Sequence, residues 1–500
     1  MTNSSAETNR FRSANQTASR HPRQLYLLFF TEMWERFSFY GMKALLLAYM
    51  VMELRLGEET GYAILGAYAA LVYTMPVLGG MLADRLLGGQ KAVLFGGILM
   101  SLGHLVLALP VAWSFFTGLA LIICGNGFFK PNISTMVGGL YADNDPRKDS
   151  AFSIFYMGIN VGAALGGAVC GWVAHAWSWH AGFGIAGVFM IVGTLIFNFG
   201  RKSLGAVGLP PAPAELKEKL GGFLRRDWAV YLLTLLTVPV IIALFHRHEL
   251  MDKAMPVLGV ASILYLLYEA FRLDPEGRRK LLAATVLISF SVVFWAFYEQ
   301  NAGSLNLFAI RNVDMVVGSV SLPALSVNNF IPPAWVIVLS SVFAWLWLWL
   351  SKRGLEPGTS VKFALSFVLV GIGFLTFFMG TGMAVGGKIP LWVLVAGYFF
   401  IICGELCISP IGLSMVTKLS PHRMVGLIMG IWFLASALGE FVAAKIGALM
   451  AVPEAVVNDP EASLPYYSDI LQQIGYYSIG VGVLLLLFTP VLKRWMGAVR

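Results

Sequence analysis

Long apolar runs separated by short polar segments follow one another along almost the whole chain. A helix that crosses a membrane needs about 20 mostly apolar residues. Fourteen runs satisfy this length, and they occur in groups of six, two and six. They cover residues 25–52, 62–83, 91–112, 114–140, 150–176, 179–199, 228–245, 255–271, 280–310, 331–350, 361–385, 390–418, 424–450 and 470–492.

This spacing predicts an all-α polytopic membrane protein with 14 transmembrane helices, organised as two six-helix bundles plus two extra central helices. Helices are favoured because membrane β-strands alternate apolar and polar residues over about 10 positions, whereas these runs are continuously apolar. The predicted domains are an N-terminal tail (1–24), a six-helix bundle (25–199), a linker with the two extra helices (200–279), a second six-helix bundle (280–492) and a C-terminal tail (493–500).

The composition excludes a soluble protein. Charged residues make up 12% of the chain and the mean hydropathy is +0.74, whereas a soluble domain carries about 25% charged residues. The net charge of +8 is spread between the apolar runs, so no nucleic-acid partner is predicted. The four cysteines all lie inside apolar runs, so neither a disulfide nor a metal site is predicted.

The basic residues predict the orientation in the membrane, because cytoplasmic loops carry an excess of lysine and arginine. Of 35 such residues, four lie inside runs and five on the predicted outer side, which leaves 26 on the other side. Both termini are therefore predicted to be cytoplasmic. The first 24 residues contain no apolar signal-peptide core, so the first span is expected to direct insertion into the cell's inner or plasma membrane.

Nine ionisable side chains lie inside the apolar runs. At roughly 3 kcal/mol each, they would cost about 27 kcal/mol in lipid, more than the 5–15 kcal/mol net stability of a typical domain. Most are therefore expected to line a wet cavity or to neutralise one another. They are Glu32, Glu35, Arg36, Lys43, Lys130, Glu299, Glu405, Glu440 and Lys445.

The first span carries the densest charged group. At 100° per residue, Glu32, Arg36, Tyr40 and Lys43 fall within an arc of about 80°, and Glu35 lies about 60° to the other side of Glu32. One face of this helix is therefore a polar stripe. The depth of Lys130 in the fourth span overlaps that of the stripe, which makes it a candidate partner.

Motifs along the chain resemble those of known transporters. The sequence Gly79-Gly-Met-Leu-Ala-Asp-Arg-Leu-Leu-Gly88 resembles the loop motif of the major facilitator superfamily. Five further segments resemble the proton-dependent oligopeptide transporter family, whose bacterial members have two extra central helices. They are Glu32-x-x-Glu35-Arg36 with Phe37 and Tyr40, Phe128-Phe-Lys-Pro-Asn132, Phe155-Tyr-Met-Gly-Ile-Asn160, Phe294-Trp295 with Tyr298-Glu-Gln300, and Gly404–Ser414.

The resemblance implies a major facilitator fold and proton-driven symport of di- and tripeptides by alternating access. Protons would be the coupling ion, with no cofactor and no enzymatic activity, and peptide-like drugs are further candidate ligands. The resemblance assigns proton coupling to Glu32, Glu35, Arg36 and Lys130. The implied substrate-binding residues are Arg36, Tyr40, Lys43, Tyr73, Lys130, Tyr156, Asn160, Trp295, Glu299, Glu405 and Trp432.

A zwitterionic peptide fits these charges. Its carboxylate requires cations, which the N-terminal half supplies, and its ammonium requires acids, which the C-terminal half supplies. A carrier of nitrate or drug-like molecules on the same scaffold is the alternative, although nitrate would leave Glu405 without a role. Lys43 departs from the family, which usually has arginine there, so bidentate binding of a carboxylate is lost at this position.

Two further charge pairs are expected near the predicted outer surface. Asp314 follows the span at 280–310 and Arg55 follows the first span, so they are predicted to form a gate, with Lys43 as the alternative partner of Asp314. Glu440 and Lys445 are expected to form a local pair on the span at 424–450.

Overall fold

The structure is a computed structural model that describes residues 20–142, 145–220, 222–421 and 424–497. Long helices make up most of this part of the chain. They are α1 (Arg23–Ala48), α2 (Glu58–Leu82), α3 (Gly89–Leu107), α4 (Ser114–Gly139), α5 (Lys148–Ala176), α6 (Trp179–Gly200), the short α7 (Pro213–Lys217), α8 (Arg226–His246), α9 (His248–Phe271), α10 (Pro275–Tyr298), the short α11 (Ser304–Asn312), α12 (Ala324–Lys352), α13 (Thr359–Thr381), α14 (Leu391–Leu419), α15 (Val425–Ala448) and α16 (Pro460–Met496).

Within the described ranges, six two-residue strands lie in the connections between helices. They are β1 (Lys219–Leu220), β2 (Leu224–Arg225), β3 (Val313–Asp314), β4 (Val316–Val317), β5 (Val320–Ser321) and β6 (Ile389–Pro390). The pairs β1–β2 and β4–β5 are antiparallel, and β3–β6 is parallel with Val313 opposite Ile389. These short pairings lie within or between the connections, and the described strands form no sheet layer of the fold.

The helices confirm the prediction of an all-α polytopic membrane protein. Twelve described helical segments are long and apolar enough to cross a membrane. The two other predicted spans correspond to α1 and α4, each 26 residues and therefore about 39 Å long. Helix α1 is less apolar because Glu32, Glu35 and Arg36 lie within five positions.

The predicted run at 280–310 is not one continuous helix. Helix α10 ends at Tyr298, a 3₁₀ turn covers Glu299–Ala302, and α11 begins at Ser304. Gly303 has φ −110° and ψ −103°, which is outside the helical region. The continuous apolar composition concealed this break, because the turn depends on one glycine and on side-chain hydrogen bonds.

The side chain of Gln300 stabilises the break. Its amide Nε2 donates to the carbonyl oxygens of Ala296 at 3.0 Å and of Ala443 on α15 at 2.9 Å. The Ser304 hydroxyl donates to its Oε1 at 2.7 Å. Both polar atoms of the buried Gln300 amide therefore have hydrogen-bond partners where α10 is interrupted.

The described chain packs as two units. One contains the residues up to Leu45 together with Leu71–Arg247, and the other contains Leu46–Ala70 together with the residues from His248 onward. The first part of α2 therefore belongs to the second unit, where a methyl group at Gly66 would lie 3.0 Å from Ala444 Cβ. This division differs in its boundaries from the predicted bundles, because it follows packing and not the order of the runs.

The two extra helices belong to different units. In the first unit, α8 is anchored by Asp227, whose carboxylate forms ion pairs with Lys91 at 2.9 Å and with Arg225 at 2.7 Å. In the second unit, α9 is anchored by Asp252, which pairs with Lys445 at 2.7 Å. The expectation of a local pair between Glu440 and Lys445 is therefore wrong: the ion pair of Lys445 joins two helices, because its long side chain reaches the neighbouring α9.

An ion pair lies immediately before the start of α5. The Arg147 guanidinium donates to Asp145 at 2.7 Å and also to the backbone carbonyl of Arg20. The hydrogen bond from Arg147 holds the pKa of the Asp145 carboxyl below its usual range. Arg147 is thereby attached to the residues that precede α1 within the same unit.

Three glycines on α5 bring α1 into close contact. A methyl group at Gly162 would lie 2.2 Å from the carbonyl oxygen of Met33, and one at Gly166 would lie 2.2 Å from that of Phe37. At Gly158 it would lie 2.9 Å from the ring of Phe29. The three glycines are four residues apart and share one helix face, so they let the backbones approach as small residues do between membrane helices.

We predict that Gly162→Ala lowers the yield and the unfolding temperature of the purified protein. The added methyl group would overlap a backbone oxygen and separate α1 from α5, at a cost of at least about 1–3 kcal/mol. The matched control is Gly480→Ala on α16, where a methyl group meets nothing within 4 Å. Equal unfolding temperatures for the two variants would contradict this packing argument.

Candidate functional site

The charged stripe of α1 forms a compact buried cluster. Arg36 Nε lies 3.1 Å from Glu32 Oε1 and also donates to Glu35 Oε2. Glu32, Glu35 and Arg36 are each at most 2% exposed. Two carboxylates therefore share one guanidinium, as the spacing of the three residues along the helix predicts.

The cluster leaves two polar atoms without partners. Glu32 Oε2 and Arg36 Nη2 are buried and have no hydrogen-bond partner in the structure. An unpaired buried polar atom costs about 1–3 kcal/mol, and more when the group is charged. One free carboxylate oxygen and one free guanidinium nitrogen on adjoining side chains suit a proton and an anionic group, respectively.

Helix α4 contributes Asn126 and Lys130 to this cluster. The Asn126 amide donates to Glu35 Oε1 at 3.4 Å, which is a long hydrogen bond. The Lys130 ammonium interacts electrostatically with both carboxylates and lies 4.6 Å from the centre of the Tyr73 ring. The structure thus brings Lys130 to the stripe of α1 as expected from its depth, and it adds Asn126, which the sequence analysis missed.

Lys130 is placed by the way α2 crosses α4. Pro131 lies inside α4 and lacks the N–H that would bond to the carbonyl of Gly127. A methyl group at Gly79 of α2 would lie 2.1 Å from that same carbonyl oxygen. The glycine of the loop motif therefore packs against the carbonyl group that the proline leaves free, one helical turn before Lys130.

The remaining predicted residues of the first unit lie on α1 and α5. Tyr40 and Lys43 continue the stripe of α1, with Lys43 only 6% exposed. Tyr156 is 41% exposed on α5, and Asn160 donates its amide to the Tyr156 carbonyl at 3.0 Å. The Asn160 amide is therefore engaged by the backbone of its own helix. The side chain of Tyr156, in contrast, is accessible.

In the second unit, Glu405 is the central charged side chain. It is 8% exposed on α14, and its Oε2 accepts a hydrogen bond from the Tyr298 hydroxyl at 2.6 Å. Glu299, the first residue of the 3₁₀ turn, interacts electrostatically with Glu405. Two predicted carboxylates are thus near one another, and Tyr298 is a partner that the sequence analysis did not assign.

The two predicted tryptophans of this unit are placed by close helix contacts. A methyl group at Gly439 would lie 2.4 Å from Trp295 Cβ, which brings α15 against α10. The ring of Trp432 covers Gly412 of α14, where a methyl group would lie 2.3 Å away. Trp295 also contacts the Tyr298 ring, with centroids 5.3 Å apart. Trp295 therefore lies beside the Tyr298–Glu405 pair.

The expected gate between Arg55 and Asp314 is not formed in the described part of the chain. Asp314 accepts the backbone N–H of Val316 at 3.0 Å and is exposed. The buried ion pair of this region joins Arg311 to Glu58 at 2.6 Å. On each segment, the residue of the buried pair lies three positions from the expected one. The two pairs are close in sequence, but only Glu58 and Arg311 point into the packed interior.

Two further hydrogen bonds flank the Glu58–Arg311 ion pair. Arg311 Nη1 donates to the Tyr467 hydroxyl at 2.8 Å, and Glu58 Oε2 accepts the Val452 N–H at 3.0 Å. The side chains of Arg311 and Glu58 are 9% and 6% exposed. A buried charge pair with further hydrogen bonds is costly to break by removing one partner.

Comparison with known proteins identifies the family. A family model described as the POT family matches residues 90–462. This chain belongs to the POT family.

Relatives that match most of the chain are named as peptide permeases or peptide transporters. The POT-family chain is 34% identical over 493 residues to dipeptide and tripeptide permease A of Erwinia pyrifoliae, which covers 96% of both chains. It is 36% identical over 451 residues to the peptide transporter YePEPT of Yersinia enterocolitica subsp. palearctica, covering 85% of this chain and 88% of that one.

A solved structure is similar over the entire chain. A crystal structure of a mutant peptide transporter POT in complex with alafosfalin matches with a TM-score of 0.83 and 33% identity, and 100% of both chains is covered. This likeness confirms the predicted major facilitator fold of the POT-family chain.

We predict that the Glu58–Arg311 pair stabilises the POT-family protein strongly. Arg311→Met should destabilise it by about 3–5 kcal/mol because Glu58 is left buried and unpaired. The double variant Glu58→Gln with Arg311→Met should be less destabilised than Arg311→Met alone. Unfolding of the purified variants by heat or denaturant measures both effects.

The control is a partly exposed i,i+4 pair, in which the Lys280 ammonium lies 2.7 Å from the Glu276 carboxylate. Lys280→Met should change stability by less than about 1 kcal/mol. Additive effects of Glu58→Gln and Arg311→Met would show that the buried pair is not coupled.

Proposed function

We propose that this protein carries di- and tripeptides into the cell by proton-coupled symport and alternating access. The observation that carries the proposal is the buried Glu32–Glu35–Arg36 cluster, with one carboxylate oxygen and one guanidinium nitrogen left without partners. The names of the POT-family relatives, dipeptide and tripeptide permease and peptide transporter, support the same substrate class.

The charges of the two units suit the two ends of a peptide. Arg36 and Lys130 of the first unit are cations suited to a carboxylate. Glu405 and Glu299 of the second unit are acids suited to an ammonium group. Nitrate has no ammonium group and gives these acids no function, so a zwitterionic peptide is the better match.

The cluster on α1 links the proton to the peptide. Glu32 takes up a proton at its free Oε2 and becomes a neutral acid, which removes one of the two negative charges beside Arg36. The guanidinium is then available to the peptide carboxylate through Nη2. A peptide carboxylate that competes for Arg36 and Lys130 in turn favours protonation of the glutamate, so the two binding events support each other.

The proposed location is the cell's inner membrane, with both termini in the cytoplasm. The excess of basic residues on one side supports this orientation. In this orientation Glu58 and Arg311 lie at the outer end of the second unit. Both residues belong to the second unit, so the pair is proposed to hold that unit together at its outer end.

We expect Glu32→Gln and Glu35→Gln to separate driven uptake from exchange. Each change removes a titratable group but keeps the size and most hydrogen bonds of the side chain. Uptake driven by a pH gradient requires protonation and deprotonation in every cycle, whereas counterflow of labelled against unlabelled dialanine requires no net proton movement. Both processes are measured in proteoliposomes.

Driven uptake should fall to background in these variants while counterflow persists. Lys130→Ala should impair both, because Lys130 also contacts the peptide carboxylate. Glu276→Gln is the matched control, since that side chain is 77% exposed. The proposal fails if both single glutamine variants accumulate dialanine against its gradient at wild-type rates when a pH gradient alone is applied.

A further inference from the structure

The Tyr298–Glu405 hydrogen bond distinguishes the two oxygens of the Glu405 carboxylate. The tyrosine hydroxyl donates to Glu405 Oε2 at 2.6 Å, within the 2.5–2.7 Å range of an O–H to carboxylate bond. The structure gives no hydrogen bond to the other oxygen, Oε1, from any residue that it describes. One oxygen of this buried carboxylate is occupied by the protein and the other is left for a different donor.

The ring of Tyr298 is held on several sides. It stacks on Phe294 with centroids 5.9 Å apart, and it meets the edge of Trp295 at 5.3 Å. It also packs against an apolar cluster that includes Leu339, Ile402 and Leu406. These contacts fix the hydroxyl in space, so the direction of its hydrogen bond is set by the fold before any ligand binds.

The position of Tyr298 follows from the break in the helix. Tyr298 is the last residue of α10, and Glu299 begins the 3₁₀ turn. Glu299 and Glu405 interact electrostatically as groups of like charge, which disfavours a close approach of the two carboxylates. A neutral donor at position 298 holds Glu405 in place without adding a positive charge that would compete with a ligand ammonium.

We propose that Tyr298 is a positioning and specificity-determining residue: by holding Glu405 Oε2, it directs Oε1 to the free amino terminus of the peptide. This inference rests on the proposed role of Glu405. It adds that the preference for peptides with a free amino terminus depends on the orientation of the carboxylate as well as on its charge. Tyr298 acts through Glu405 and does not itself need to contact the substrate.

The test is Tyr298→Phe, which removes the hydroxyl and keeps the ring contacts. The KM for dialanine uptake should rise by about 5-fold or more, as expected for the loss of a hydrogen bond to a charged group. The KM for N-acetyl-dialanine, which has no ammonium group, should change by less than about 2-fold, and the maximal rate per folded transporter should stay near wild type for both. Ligand-induced thermal stabilisation by the same two peptides gives a second readout that is independent of the transport rate.

Two further variants separate the causes. Tyr477→Phe on α16 is the matched control, because Tyr477 is 62% exposed and should tolerate the change. Glu405→Ala should strongly reduce uptake of dialanine and affect N-acetyl-dialanine much less. Adding Tyr298→Phe to Glu405→Ala should then have no further effect on the ratio of the two KM values.

The outcomes distinguish this inference from the proposed function. If Glu405→Ala changes both peptides equally, the ammonium-binding role of Glu405 is wrong and the inference falls with it. If Glu405→Ala discriminates between the peptides but Tyr298→Phe changes both equally, only the role of Tyr298 is wrong. Loss of folded protein in Tyr298→Phe would also overturn it, because the hydroxyl would then be required for structure.

Discussion

Three charged side chains on one stretch of α1 impose the constraint that the rest of the first unit satisfies. Glu32, Glu35 and Arg36 are almost fully buried in a helix that is otherwise apolar. Charges in such a position must be paired or must face water. Arg36 pairs with both carboxylates, Asn126 and Lys130 approach from α4, and α5 carries glycines so that the helices can pack closely around the group.

Interrupted or closely packed backbone places the functional side chains in both units. In the first, Pro131 frees a carbonyl of α4 and Gly79 of α2 packs against it, just before Lys130. In the second, α10 ends at Tyr298, so that Tyr298 faces Glu405 while Glu299 lies in the following turn. Broken helices are a common way for transporters to present ligand groups at membrane depth.

Sequence reasoning could predict the features that depend on local pattern. The fourteen apolar runs correspond to the long helices, and helical periodicity placed Glu32 and Arg36 on one face. The turn at Glu299 was missed because an apolar run does not reveal a break that depends on Gly303 and Gln300. The glycines of α5 did carry a visible signal, a repeat of four residues that indicates close helix contact.

Pairings between distant parts of the chain were the least predictable. Glu58 and Arg311 are separated by more than 250 positions, and only the packed structure shows that they, and not Arg55 and Asp314, share a buried network. The same holds for Tyr298 with Glu405 and for Lys445 with Asp252. Sequence pattern indicates which residue needs a partner, and tertiary packing decides which residue provides it.

The most direct test of the account is whether peptide movement carries protons. Purified protein would be placed in liposomes that enclose a pH-sensitive dye, with no pH gradient imposed and with counter-ion movement allowed. Adding dialanine outside should acidify the interior, whereas adding nitrate should not. Dialanine entry without acidification would contradict proton-coupled peptide symport, as would acidification driven by nitrate.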